Sequence, residues 1–162
     1  MNEKIAIKKN LVPLKVNNEY IRNALHDFNV KMIGKEKEFS FFAHDEAGKI
    51  VGGLIVYAEK SSIFIDILWV SDKLRNCGVG SRLIAAAEDE GRKLGIQYST
   101  TDTFAFQAVD FYKKNGYQEI GVIKEYIEGH DKIFFRKNIS ENRSWKLAKK
   151  NWKAAKTLCP DV

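Results

Sequence analysis

Residues 63–94 constrain this chain more than any other stretch: an apolar strand, a polar loop, then a helix. Ile63, Phe64, Ile65, Ile67, Leu68, Trp69 and Val70 put apolar side chains on both faces of the strand, which predicts an interior strand covered on both sides. Residues 72–77 are polar and turn-like. From Gly78 and Gly80 onward, Leu, Ala and Glu recur as in a helix running to Leu94, and Gly95 stands at the expected stop. Glycines at 78 and 80 let the backbone approach a ligand closely and turn its N–H groups outward. The helix N-terminus behind them adds partial positive charge and Arg75 a full one, so the loop is an expected cradle for a phosphate or pyrophosphate.

Two familiar phosphate motifs do not fit. A dinucleotide fingerprint needs its glycines directly after the strand and a third at position 83, which is Leu83. A P-loop needs Gly-Lys-Ser/Thr, whereas Gly80 is followed by Ser81 and Arg82. What remains is Arg-x-x-Gly-x-Gly a few residues after an apolar strand, which resembles the coenzyme A pyrophosphate loop of the GNAT N-acetyltransferase superfamily. The resemblance extends over residues 20–138. It takes in Ile67 to Val70 before the loop, residues 102–108, Phe111 and Tyr112, Gly116 and Tyr117, Gly129 and His130, and Phe134 to Lys137 in the last strand.

The resemblance implies an α/β (α+β) fold: a mixed, mostly antiparallel sheet flanked by helices. In it the strands at 62–70 and 97–101 diverge so that the pantetheine arm inserts between them like an extra strand. It implies acetyl-CoA as co-substrate, held by Leu68, Trp69, Val70, Arg75, Asn76, Cys77, Gly78, Val79, Gly80 and Ser81. The remaining elements expected from pattern are a helix at 19–28, a hairpin of strands 38–44 and 49–57, a short helix at 107–115, and strands 117–127 and 132–137.

Acetyl transfer to an amine needs a neutral amine, a polarised carbonyl and a proton for the departing thiolate. Tyr112 occupies the family's usual position for that acid. Asp66 is the candidate base: strict alternation would set it on the face of Phe64, Leu68 and Val70, and apolar neighbours make a carboxylate more basic. A backbone N–H near Leu68 to Val70 would hold the developing oxyanion. Phe104 and Phe106 are expected beside the acceptor. Cys77 has no histidine near it in sequence and is taken as a backbone contact, not a nucleophile. His130 sits in a turn, where a solvated or capping histidine is the plainer assignment.

The 162 residues suit one catalytic domain, expected at 1–139, followed by a tail at 140–162. The chain carries a net charge of +6, and six basic against two acidic residues after position 139 place +4 of it in the tail. Basicity is therefore not a property of the catalytic region, and no nucleic-acid partner is expected. Residues 142–158 divide into an apolar arc with Trp145 and Trp152 and a basic arc, as in an amphipathic helix. Such a helix must cover its apolar face, with the domain itself or a sister subunit favoured, making a homodimer, over an anionic membrane surface. Two cysteines, Cys77 and Cys159, indicate neither a disulfide framework nor a thiolate metal site, and no metal is expected. The first residues lack the apolar core of a signal peptide, so a cytoplasmic, reduced setting is expected. The expected activity is transfer of acetyl from acetyl-CoA to a primary amine of a small molecule or peptide. The alternative is a non-catalytic acyl-CoA-binding or regulatory module that contacts a partner through the tail.

Overall fold

The structure is a computed structural model that describes residues 5–140; the tail helix expected at 142–158 lies outside them. The chain forms two compact units that part between Lys35 and Glu36. In the first, α1 (Lys15–Ile33) runs further at both ends than the expected 19–28. It stops where Gly34 takes φ 85° and donates its N–H to the Val30 carbonyl, a left-handed stop that glycine adopts without a Cβ penalty.

The second unit is a sheet of six strands in the order β1-β2-β3-β4-β6-β5. Its strands are β1 (Lys37–His44), β2 (Ile50–Ala58), β3 (Ser62–Val70), β4 (Tyr98–Phe104), β5 (Gln118–Ile127) and β6 (His130–Asn138). Among the described strands only β3 and β4 pair in parallel, the crossover between them running through a helix, α2 (Val79–Lys93). The other neighbours are antiparallel. The mixed, mostly antiparallel sheet is as expected. β4 runs on to Phe104 beyond the expected end at 101, and the helix expected at 107–115 is the shorter α3 (Val109–Lys114).

The core lies on one face of the sheet. Leu54 and Val56 of β2, Ile63 and Ile65 of β3, Ile133 and Phe135 of β6 and Ile84 and Ala87 of α2 are all buried there. Burial of aliphatic side chains of this size contributes about 1.5–3 kcal/mol each. The helix is also tied to β6 by charge: the Lys137 ammonium lies 2.7 and 2.8 Å from the oxygens of Glu88, a carboxylate only 2% exposed. Among the described residues, no helix is long and apolar enough to cross a membrane.

Candidate active site

The site begins where β3 and β4 separate. Their pairing runs from Ser62 opposite Tyr98 to Ile65 opposite Thr101 and stops there. Beyond it, residues 66–70 of β3 and 102–104 of β4 continue without a rung between them, so backbone groups on the facing edges are open to another extended chain. The fork expected between these strands is present.

Register on the other side of β3 corrects one expectation. Val56 is opposite Ile65 and Ile55 is opposite Ile67, which leaves Asp66 as an extra residue in a β-bulge. A bulge advances the side-chain alternation by one, so Leu68 and Val70 return to the helix face with Ile63 and Ile65 and pack on the core. Asp66 therefore does not share a face with Leu68 and Val70. It is exposed, on the side where its charge reaches Tyr57, and Ile67 and Trp69 are half-exposed rather than covered. The apolar burial of Asp66 expected from strict alternation is therefore not found.

Tyr112 reaches the same fork from the helix side. Its ring is buried, stacked on Phe135 at 5.7 Å and edge-on to Tyr117 at 5.6 Å. Its hydroxyl interacts with the side chain of Thr101, the last residue of β4 that pairs with β3. Thr101 donates its own hydroxyl to the Ile65 carbonyl at 3.0 Å. Burial, aided by the charge of Asp102 and opposed by the Thr101 bond, raises the Tyr112 pKa above the ordinary tyrosine value. The phenol stays protonated at neutral pH and keeps a proton to give. Packing and a possible acid role are therefore compatible in this residue.

The loop after β3 folds back on the strand it leaves. A short 3₁₀ turn, Asp72–Leu74, is followed by Arg75, whose guanidinium lies 2.7 Å from Asp72 and donates to the Val70 carbonyl at 3.4 Å. Its charge is thus shared with that of Asp72. Asn76 and Gly78 take φ of 63° and 79°, the left-handed region that Asn and Gly tolerate best. Gly78 caps α2 with no side-chain hydrogen bond. The first intrahelical donor is the Arg82 N–H, 3.1 Å from the Gly78 carbonyl, so the amides of Val79, Gly80 and Ser81 precede it at the positive end of the helix. That arrangement fits an anionic phosphate group. Gly80 has a further role: a Cβ there would lie 3.1 Å from the Phe111 ring, so α2 and α3 meet closely at this point. Cys77 stands between Asn76 and Gly78, the two left-handed residues of the loop.

Phe104 at the end of β4 and Phe106 in the turn after it stand beyond the fork, their rings stacked. Pattern reading missed Asp102 and Lys132, which form an ion pair of 2.9 Å with both side chains largely buried. Asp102 directly follows the last residue paired with β3, and its charge is felt at Tyr112. A signal existed in the alternation of β4, which sends Asp102 to the face opposite Thr101, but its partner on β6 depends on cross-strand register.

The family model described as acetyltransferase (GNAT) domain matches residues 36–119, from just before β1 into the start of β5. A blasticidin-S acetyltransferase from Streptomyces morookaense is 37% identical over 92 residues, which are 56% of this chain and 68% of that protein. The crystal structure of an acetyltransferase from Bacillus cereus superposes with a TM-score of 0.72 at 33% identity, covering 81% of this chain and 97% of that one. An aminoglycoside 6′-N-acetyltransferase complexed with coenzyme A shares the fold, with a TM-score of 0.59 at 17% identity over 79% of this chain and 96% of its own.

Proposed function

From the GNAT acetyltransferase family, to which this chain belongs, we propose an acetyl-CoA-dependent N-acetyltransferase that acts on a primary amine of a small molecule or peptide in a ternary complex. The observation that carries the reading is the buried Tyr112 phenol set beside Thr101 at the point where β3 and β4 part. A protein that only bound acyl-CoA would have no need of a proton donor there. Coenzyme A is present in a neighbour of the same fold, and here the open edge of residues 66–70 and the first amides of α2 suit its extended arm and its phosphates. When bound, acetyl-CoA supplies an activated acetyl group.

Each proton then has an assigned carrier. An alkylammonium has a pKa of about 10.4, so it must be deprotonated to attack. Asp66 takes that proton, from an acceptor approaching the face on which it is exposed. As the N–C bond forms, a backbone N–H near the end of β3, at Leu68 to Val70, stabilises the negative charge on the carbonyl oxygen. As the C–S bond breaks, Tyr112 gives its hydroxyl proton to the sulfur. The nitrogen sheds its second proton to water as the amide forms; that loss offsets the proton Tyr112 regains from solvent, and the proton taken by Asp66 leaves as the one net proton released per ammonium acetylated.

Release of coenzyme A over a panel of amines, measured alongside acetyl-CoA affinity by calorimetry, tests the reading. Turnover with some primary amine is expected. Tight binding with no release for any amine would replace it with the acyl-CoA-binding module. A cytoplasmic homodimer completes the proposal; light scattering of the full chain against a chain ending at residue 140 should show loss of the dimer.

A further inference from the structure

Past Asp102 the open face of the sheet carries a layered group of rings. Phe106 lies flat on Phe104, with centroids 5.4 Å apart and planes within 8°. Tyr126 flanks Phe104 at 5.9 Å, and His130 meets Phe106 edge-on at 4.9 Å. The Lys132 ammonium sits 5.8, 5.2 and 5.5 Å from the ring centres of Phe104, Tyr126 and Phe134. These are cation–π contacts that fix the rings around it. Asp102, 2.9 Å away, cancels its charge, so the lysine does not repel an incoming cation. Phe106 and Tyr126 nonetheless remain 58% and 52% exposed. The group is held rigidly from beneath and open on its outer side.

We propose that this surface receives the acceptor, and that the acceptor is a primary amine carrying a flat, π-bonded ring; the inference rests on the N-acetyltransferase reading above. Three features of the arrangement argue for this class. The surface is continuous with the fork, because Asp102 directly follows the last β3–β4 rung and Phe104 lies two residues further along the same face. That separation is about 7 Å, a span matched by a short carbon arm between a ring and its amine. A flat ring stacks face to face on Phe106 as Phe106 does on Phe104, whereas a saturated ring or an alkyl chain gains only contact area. A polyamine would seek unpaired carboxylates along its length, and Asp102 is already engaged by Lys132.

Calorimetry of the full-length protein with coenzyme A bound, titrated with 2-phenylethylamine and with its saturated counterpart 2-cyclohexylethylamine, tests the class directly. The aromatic amine should bind roughly three- to tenfold more tightly. That preference should vanish in Phe106→Leu, whose melting temperature reports that it is folded, and should shrink in Tyr126→Leu. Equal affinity for the two amines, binding by neither, or a preference that survives Phe106→Leu overturns the inference. Release of coenzyme A from acetyl-CoA separates the two ways of failing. Release with alkyl amines but no aromatic preference overturns this inference alone, whereas no release with any amine overturns the N-acetyltransferase reading.

Discussion

Tyr112 shows how one residue serves the core and the chemistry together. Stacking on Phe135 and an edge-on contact with Tyr117 fix the ring, and the hydroxyl is left beside Thr101 with its pKa raised chiefly by burial. Tyr112→Phe keeps that packing and removes only the proton. It should lower kcat on the order of 10²–10⁴-fold with little change in acetyl-CoA affinity, as steady-state kinetics and calorimetry would report. A raised pKa also places the alkaline limb of the pH–rate profile above 10.0, the ordinary tyrosine value, and the variant should lack that limb. Asp66 is argued from a different footing, since the bulge exposes it. Asp66→Asn should remove the acidic limb of the same profile while leaving acetyl-CoA binding intact; an unchanged profile would transfer the role to another group or to water.

At the scale of elements, the N-terminus of α2 has two jobs that substitutions can separate. Gly80 sits where a Cβ would meet the Phe111 ring at 3.1 Å. Gly80→Ala should therefore cost about 1–3 kcal/mol by overpacking the α2–α3 contact, read as a lower urea midpoint. Loss of affinity in that variant would say little about phosphate. Ser81→Pro is the cleaner probe, because proline is tolerated in the first turn of a helix and deletes one of the amides that precede Arg82. It should weaken acetyl-CoA binding about tenfold or more, as expected for one hydrogen bond to a charged group, with the melting temperature nearly unchanged. Unchanged affinity in the folded variant would remove the α2 amides from the cofactor site.

For the whole molecule, the sheet and α2 are locked together through a polar centre as well as an apolar one. Tyr117 is buried, its hydroxyl 2.6 Å from Ser99 and its ring 5.5 Å from the Lys137 ammonium that holds Glu88. Burial first, and then the charge of Glu88, push the Tyr117 pKa well above 10.0. In the folded protein Tyr117 and Tyr112 both keep their protons past the pH at which the unfolded chain loses them. The folded state then binds more protons, so the stability they contribute is complete below pH 10.0 and falls as pH rises through and beyond it. Urea titrations between about pH 9 and 11 should show this decline. Tyr117→Phe should flatten it, and a decline of undiminished slope in that variant would assign it elsewhere.

Sequence by itself determined the strand, loop and helix at 63–94, the stop at Gly95, the hairpin across residues 45–48 and the place of Tyr112 in its motif. These rest on signals that are local in the chain: period-2 and period-3.6 patterns, turn glycines and the residues that cap helices. Only the tertiary structure decided the bulge at Asp66, the rung at which β3 and β4 part, the contact of Gly80 with Phe111 and the pairing of Asp102 with Lys132. Each joins elements distant in sequence. An alternating pattern states which residues share a face only while the register is unbroken, and one inserted residue reverses every face after it. The face of Asp66 was therefore settled by which residues of β2 lie across from its neighbours Ile65 and Ile67.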